Sequence, residues 1–201
     1  MLTLVKALAG FCFNWIDCSI WMIMTEITTS IQIALRPVSK AGLENLAATA
    51  KANPNVVKSL KIKTVCEGQF RNLNYVRDLP EHVIDEPPGL LGQDTAPNPS
   101  EALLAALGSC LSVGIHANAI VRGITLTKLE LELEGDINIT GVWGIGDLSE
   151  KRLGFTDVRV KVDVDGDASR EALADLVAHA NVWSPVANTL RNPVNVDVAI
   201  A

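Results

Sequence analysis

The sequence lacks the features of several common functional classes. It has no long cluster of lysine and arginine: the chain contains 17 basic and 23 acidic residues, a formal net charge of -6 at pH 7. This balance argues against nucleic-acid binding and favours a small neutral or apolar ligand. The four cysteines Cys12, Cys18, Cys66 and Cys110 have neither the paired spacing of a zinc site nor the pattern of a secreted disulfide framework. We therefore expect a cytoplasmic protein that uses no metal and no other cofactor.

The first 24 residues differ in character from the rest of the chain, because they mix apolar residues with two of the four cysteines. A secretory signal fits poorly, since Lys6 is the only cation and Asp17 interrupts the apolar run. A membrane span also fits poorly, because the uninterrupted apolar stretches are far shorter than the roughly 20 residues that a span needs. We expect no membrane association, and we leave Cys12 and Cys18 out of any mechanism.

The length and apolar content set the domain organisation. A chain of 201 residues with 48% hydrophobic residues can form one domain with extensions. We interpret residues 1–24 as an N-terminal extension or a misassigned start, with Met22 and Met24 as alternative starts. Residues 25–55 form a lead segment, and residues 56–201 form the main domain.

Hydrophobic periodicity predicts an α+β fold with antiparallel sheets and without a doubly wound pattern. The glycines of residues 141–147 lack the spacing of a dinucleotide-binding loop, so this stretch is interpreted as a hairpin loop. Strands are expected at residues 27–35, 56–66, 69–84, 124–134, 137–140, 155–165 and 194–200. Helices are expected at residues 41–50, 98–122 and 169–181, and a shorter helical turn begins at residue 184. A chain turn is expected at residues 135–136.

The helix at residues 98–122 carries the most informative residue, Cys110. Asn98 can cap this helix, Pro99 suits its first turn, and Gly123 can end it. Apolar and small residues cover almost its whole circumference, which predicts a central position in the fold. A thiolate is a nucleophile, but a buried cysteine is often only a small core residue. The residues three and four positions from Cys110 are uncharged, so a cation that stabilises its thiolate must come from another element.

Four segments of the chain resemble the OsmC/Ohr family, which includes osmotically inducible and organic hydroperoxide resistance proteins. They are DEPP at residues 85–88, NPSEALLAALGSC at 98–110, RGI at 122–124 and SPVANTL at 184–190. The resemblance covers roughly residues 56–201. It implies an intertwined homodimer in which antiparallel sheets wrap around two central helices, with active sites at the subunit interface.

The resemblance also implies a reaction and the residues that carry it. Members of the family reduce organic hydroperoxides with two cysteines; Cys110 matches the first, and Ser184 stands at the second position. In the family an arginine held by a glutamate activates the first cysteine. Arg71 and Arg77 are the candidates for this arginine, with Arg71 preferred, and Glu101 is the candidate glutamate, although it serves equally well as a favourable charge at the helix start.

Serine at position 184 leaves several functions open, because serine cannot form a disulfide with a cysteine sulfenic acid. The protein could reduce peroxide with Cys110 and an external thiol, or Cys66 could supply the second sulfur. Alternatively, it has lost peroxidase activity and binds a small apolar or thiol-reactive ligand at the dimer interface.

Overall fold

A computed structural model of the protein describes residues 34–200. The extension at residues 1–24 and nearly all of the strand predicted at 27–35 lie outside the described residues. The first regular element is helix α1, Lys40–Ala52, which confirms the helix predicted at 41–50. Its N-cap is Ser39, whose Oγ accepts a hydrogen bond from the backbone N–H of Gly42.

An antiparallel three-stranded sheet follows α1 and confirms the predicted meander, but the single strand predicted at residues 69–84 is wrong, because residues 76–81 interrupt it. Its strands are β1, Lys63–Gly68, β2, Arg71–Tyr75, and β3, His82–Ile84, in that spatial order. Residues 56–62, predicted to belong to the first strand, have no regular structure. A bulge near Cys66 and the left-handed backbone of Gln69 (φ 49°) shape the turn that leads into β2.

Helix α2, Pro99–Arg122, is the long helix that the capping residues predict. Asn98 is its N-cap, and Gly123 ends it with the left-handed φ of 75° that glycine adopts without steric cost. The helix is long and apolar enough by composition to cross a membrane. It packs against the second sheet and against two later helices.

The second sheet is a long antiparallel hairpin of β4, Leu126–Asn138, and β5, Gly154–Gly166. The turn predicted at residues 135–136 is wrong, because β4 continues through both positions to Asn138. Gly135 has a packing role: a Cβ atom there would lie 2.5 Å from a ring carbon of Phe155. The connection between the strands, which includes the one-turn helix α3, Val142–Ile145, confirms the predicted hairpin loop.

Two helices complete the described fold: α4, Arg170–Trp183, and α5, Pro185–Arg191. Helix α4 packs closely on α2, where a Cβ atom at Gly114 would lie 3.4 Å from the Cβ of Ala180. The main core cluster lies between α2, α4 and the hairpin, and a smaller one joins α2 to α5. The α+β fold class predicted from the sequence is thus confirmed.

The strand predicted at residues 194–200 is wrong, because this segment has no regular structure. Its alternating apolar side chains are exposed, from 60% for Val194 to 101% for Ile200. Alternation is the pattern of a strand, but a strand also needs a neighbouring edge with which to pair. The segment pairs with no strand among residues 34–200.

Candidate active site

The close packing of α2 on β4 sets the position of Cys110. Gly108 is buried, and a Cβ atom there would come within 2.8 Å of a side-chain methyl carbon of Leu133. On either side of Cys110, Leu107 and Leu111 are 4% and 5% exposed. Cys110 itself is half-buried, as a reduced thiol. Its sulfur therefore sits beside the core of the fold without being sealed inside it.

The sulfur of Cys110 contacts Ser184, which lies 74 positions further along the chain. The Ser184 Oγ donates a hydrogen bond to the Cys110 Sγ at 3.2 Å. Ser184 is the residue between α4 and α5 and the N-cap of α5, so its Oγ also accepts a hydrogen bond from the backbone N–H of Ala187, at 3.1 Å. The fold thus brings together the two positions that the family resemblance paired.

An open cavity of about 890 Å³ adjoins this pair. Its walls come mainly from α2 and β5, with further residues from α4 and α5, and apolar side chains dominate them. Cys110 and Ser184 do not line it themselves, but their neighbours Leu107, Leu111 and Ala187 do. Two cations, Arg152 and Arg191, also line the cavity. Its lining further includes Leu103, Phe155, Val158, Val160 and Leu190.

Arg71, the preferred candidate cation, is anchored to the loop that precedes α2. Its Nε donates to Glu67 Oε2 at 2.7 Å, and its Nη1 donates to Thr95 Oγ1 at 2.9 Å. The Thr95 hydroxyl in turn donates to Asp85 Oδ2 at 2.7 Å. A chain of hydrogen bonds thus connects the start of β2 to the interior of the loop.

Asp85 is the inner end of this chain and is completely buried. Its carboxylate accepts hydrogen bonds from the hydroxyl and the backbone N–H of Thr95, and these lower the pKa of Asp85 from 3.8 to about 2. A further bond comes from the backbone N–H of Glu86. A buried carboxylate is tolerated when hydrogen bonds satisfy it, so Asp85 holds the loop closed as an anion.

The structure does not join either candidate arginine to the thiol within one chain. Among residues 34–200, no hydrogen bond connects Arg71 or Arg77 to Cys110 Sγ, whose hydrogen-bond partner is Ser184 Oγ. Arg77 is exposed in the turn after β2, where its φ of 53° is left-handed. These contacts hold neither candidate arginine at the sulfur, and the two cavity cations Arg152 and Arg191 were not singled out from the sequence.

Glu101 forms part of the N-terminal cap of α2. Its Oε2 accepts a hydrogen bond from the backbone N–H of Asn98 at 2.8 Å, while Asn98 Oδ1 accepts one from the N–H of Glu101. A second carboxylate lies near it: burial raises the pKa of Glu86, and the charges of Glu101 and Asp85 raise it further. The Glu86 Oε2 is buried and has no hydrogen-bond partner among the described residues.

Metal ligation has no obvious location in the part of the chain that the structure describes. Residues 34–200 contain no group of three or more histidine, cysteine, aspartate or glutamate side chains placed to hold a metal ion. Around Cys110 the described residues offer a thiol, a hydroxyl and an adjoining apolar cavity.

Comparison with known proteins identifies the family. The family model described as OsmC-like protein matches residues 92–199, just over half of the chain, including both Cys110 and Ser184. The chain belongs to the OsmC-like protein family. A comparison with curated proteins found no match.

Solved structures agree with this fold at low sequence identity. An OsmC-like protein from Mycoplasma pneumoniae is 17% identical, with a TM-score of 0.57 over 68% of this chain and 89% of that one. An organic hydroperoxide resistance protein OsmC from Legionella pneumophila is 21% identical, with a TM-score of 0.52 over 68% and 92%. An organic hydroperoxide resistance protein from Elizabethkingia anophelis is 16% identical, with a TM-score of 0.51 over 68% of this chain and 91% of that one.

The hydrogen-bond chain through Thr95 was not predicted from the sequence. Residues 85–88 were part of the family resemblance, but nothing in them indicated that Asp85 is buried or that Thr95 connects it to Arg71. The one available signal was the pair of prolines that follows Asp85, since a loop with few backbone donors needs side chains to hold it.

Proposed function

We propose that this OsmC-like protein is a thiol-dependent peroxidase that reduces organic hydroperoxides through the single cysteine Cys110 and so protects against oxidative stress. The observation that carries the proposal is the 3.2 Å contact between Cys110 Sγ and Ser184 Oγ. In this contact, the sulfur of Cys110 stands at the position of the family's first cysteine and the hydroxyl of Ser184 stands at the position of the second. Two structures of the same fold are of proteins described as organic hydroperoxide resistance proteins.

The reaction begins with attack of the Cys110 thiolate on the terminal hydroxyl oxygen of the organic hydroperoxide. An S–O bond forms and the O–O bond breaks, so that the sulfur is oxidised by two electrons to a sulfenic acid. The alkoxide leaves and takes up a proton to become an alcohol. Ser184 cannot capture the sulfenic acid as a disulfide. An external thiol therefore attacks the sulfur and releases water, and a second thiol frees Cys110 and leaves as part of an external disulfide.

The apolar cavity beside the thiol favours organic over hydrogen peroxide. Burying the alkyl part of a substrate contributes about 25 cal/mol per Å² of apolar surface removed from water. Hydrogen peroxide offers no such surface. We expect the catalytic efficiency to rise with the size of the alkyl group up to the capacity of the cavity, about 890 Å³.

The proposed working form is a cytoplasmic homodimer. In the single chain, the core helix α2 leaves apolar side chains exposed, including Val113 at 69% and Val121 at 45%. A second copy would cover such a surface, and it could bring Arg71 or Arg77 to the Cys110 sulfur. A guanidinium near the sulfur would stabilise the thiolate by charge.

Steady-state peroxide consumption tests the function. Cumene hydroperoxide is supplied with dithiothreitol or with dihydrolipoamide, and the wild type is compared with Cys110→Ser and Cys66→Ser. We expect turnover in the wild type and in Cys66→Ser, and none in Cys110→Ser. Turnover that survives in Cys110→Ser would contradict the proposal, and turnover lost in Cys66→Ser would assign the second sulfur to Cys66.

A binding protein is the second candidate, and the serine at position 184 favours it. In that case the cavity holds a small apolar or thiol-reactive ligand, and Cys110 is a packed residue. Intact mass spectrometry separates the two functions: a Cys110 thiol that several equivalents of hydroperoxide leave unmodified would indicate a binding protein with a peroxidase fold.

A further inference from the structure

The hydroxyl of Ser184 is the group closest in chemistry and position to the reactive sulfur. Ser184 is only 3% exposed, so its hydroxyl is effectively cut off from water. A buried hydroxyl needs partners for both its oxygen and its proton, since an unsatisfied buried polar group is costly. Identifying those partners determines where the proton points.

The oxygen and the proton of this hydroxyl have different partners. The backbone N–H of Ala187 donates to Ser184 Oγ at 3.1 Å and so occupies one lone pair of the oxygen. The single hydroxyl proton then remains to be donated, and Cys110 Sγ lies 3.2 Å away. The hydrogen bond from Ala187 also fixes the side-chain position, so the donor is held in place before any reaction.

Ser169 provides an internal comparison, because it caps α4 in the same way. Its Oγ accepts a hydrogen bond from the backbone N–H of Ala172 at 3.2 Å. Ser169 is exposed, and its side chain shares its second hydrogen bond with the Glu171 carboxylate rather than with a sulfur. Helix capping therefore explains the lone-pair contact of Ser184, but it does not explain the donation to Cys110.

We propose that Ser184 is a catalytic residue that donates its hydroxyl proton to the Cys110 sulfur and stabilises the reactive thiolate. A neutral thiol is a weak acceptor, whereas a thiolate carries a full charge, and hydrogen bonds to charged groups are stronger than neutral ones. The bond therefore favours the charged form selectively. This role rests on the peroxidase function proposed above, and it makes Ser184 more than a lost second cysteine.

The test is the pH profile of Cys110 alkylation. Iodoacetamide reacts with the thiolate, and mass mapping of the peptides quantifies Cys110 separately from the other cysteines. We expect Ser184→Ala to shift the midpoint of the profile to higher pH and to slow alkylation at neutral pH by about tenfold. This size corresponds to the loss of one hydrogen bond to a charged group. Ser184→Thr retains the hydroxyl and should behave like the wild type.

The matched control is Ser169→Ala, which removes an equivalent helix cap away from the sulfur. It should lower thermal stability by less than Ser184→Ala does, because water can replace the lost hydrogen bond at an exposed cap, and it should leave the alkylation profile unchanged. A Ser184→Ala profile that coincides with the wild type would overturn the proposal, and so would an equal shift in Ser169→Ala. Failure of the peroxidase function is recognised separately, as a wild-type Cys110 that reacts with iodoacetamide but not with cumene hydroperoxide.

Discussion

Replacing Ser184 with cysteine should restore a disulfide with Cys110. The two side-chain atoms are 3.2 Å apart, and a disulfide bond is about 2.05 Å long, so the sulfurs must approach by about 1 Å. Part of this gap closes because a cysteine sulfur lies farther from its Cβ than a serine oxygen does. The crosslink spans 74 positions of the chain, for which loop-closure entropy gives at most about 4.5 kcal/mol of stabilisation.

Two measurements check this prediction. Guanidinium denaturation of Ser184→Cys should give a higher free energy of unfolding when the protein is oxidised than after reduction with dithiothreitol. Intact mass spectrometry under excess cumene hydroperoxide should show a disulfide, whereas the wild type proceeds to a sulfinic acid. The double variant Ser184→Cys, Cys110→Ser cannot form the bond and serves as the control. Two free thiols after mild oxidation, or over-oxidation as fast as in the wild type, would refute the geometry.

Three further changes have defined outcomes. Leu176→Ala, at a side chain with 0% exposure, should lower the free energy of unfolding by about 2–5 kcal/mol in guanidinium denaturation, while Leu46→Ala, 69% exposed, should change it by less than about 0.5 kcal/mol. The folded-state pKa of Asp85 is lowered, so its carboxylate stabilises the fold above pH 3.8 and loses this effect as the pH falls to about 2. The difference in Tm between the wild type and Asp85→Asn should therefore shrink over that range. A difference in Tm that stays constant would refute the role of Asp85. Arg71→Ala should slow peroxide reduction more than Arg77→Ala, and the reverse order would assign the cation to Arg77.

The parts of the fold that local chemistry encodes were predictable from the sequence. Both ends of α2 follow from residues within one turn of each end: Asn98 and Pro99 at the start, and Gly123 at the stop. The hairpin of β4 and β5 follows from alternation along each strand. These features need no knowledge of distant residues.

The errors arose where distant residues decide the structure. Gly135 carries the local signal of a turn, but the ring of Phe155 across the sheet occupies the space that a Cβ would take. The alternation of residues 194–200 is a strand pattern whose pairing edge is absent among residues 34–200. Asp85 and Thr95 are ten positions apart in a polar loop, so no periodicity reveals their contact.

The candidate site divides in the same way. Cys110 could be singled out from its helix alone. Its pairing with Ser184 was implied by the family resemblance, and only the structure supplies the distance between the two side chains. The double hydrogen bonding of the Ser184 hydroxyl depends on the burial of the junction between α4 and α5, which no sequence pattern encodes.

A titration with cumene hydroperoxide, followed by intact mass spectrometry of the wild type and of Cys110→Ser, asks whether Cys110 is the nucleophile that reduces the peroxide. We expect the wild type to gain one oxygen at equimolar peroxide and to return to its original mass after addition of dithiothreitol. Peptide mass mapping should locate that oxygen on Cys110. Cys110→Ser should gain no oxygen under the same conditions. A wild-type mass that stays unchanged at several equivalents of peroxide would contradict the account of Cys110 as a peroxidase nucleophile.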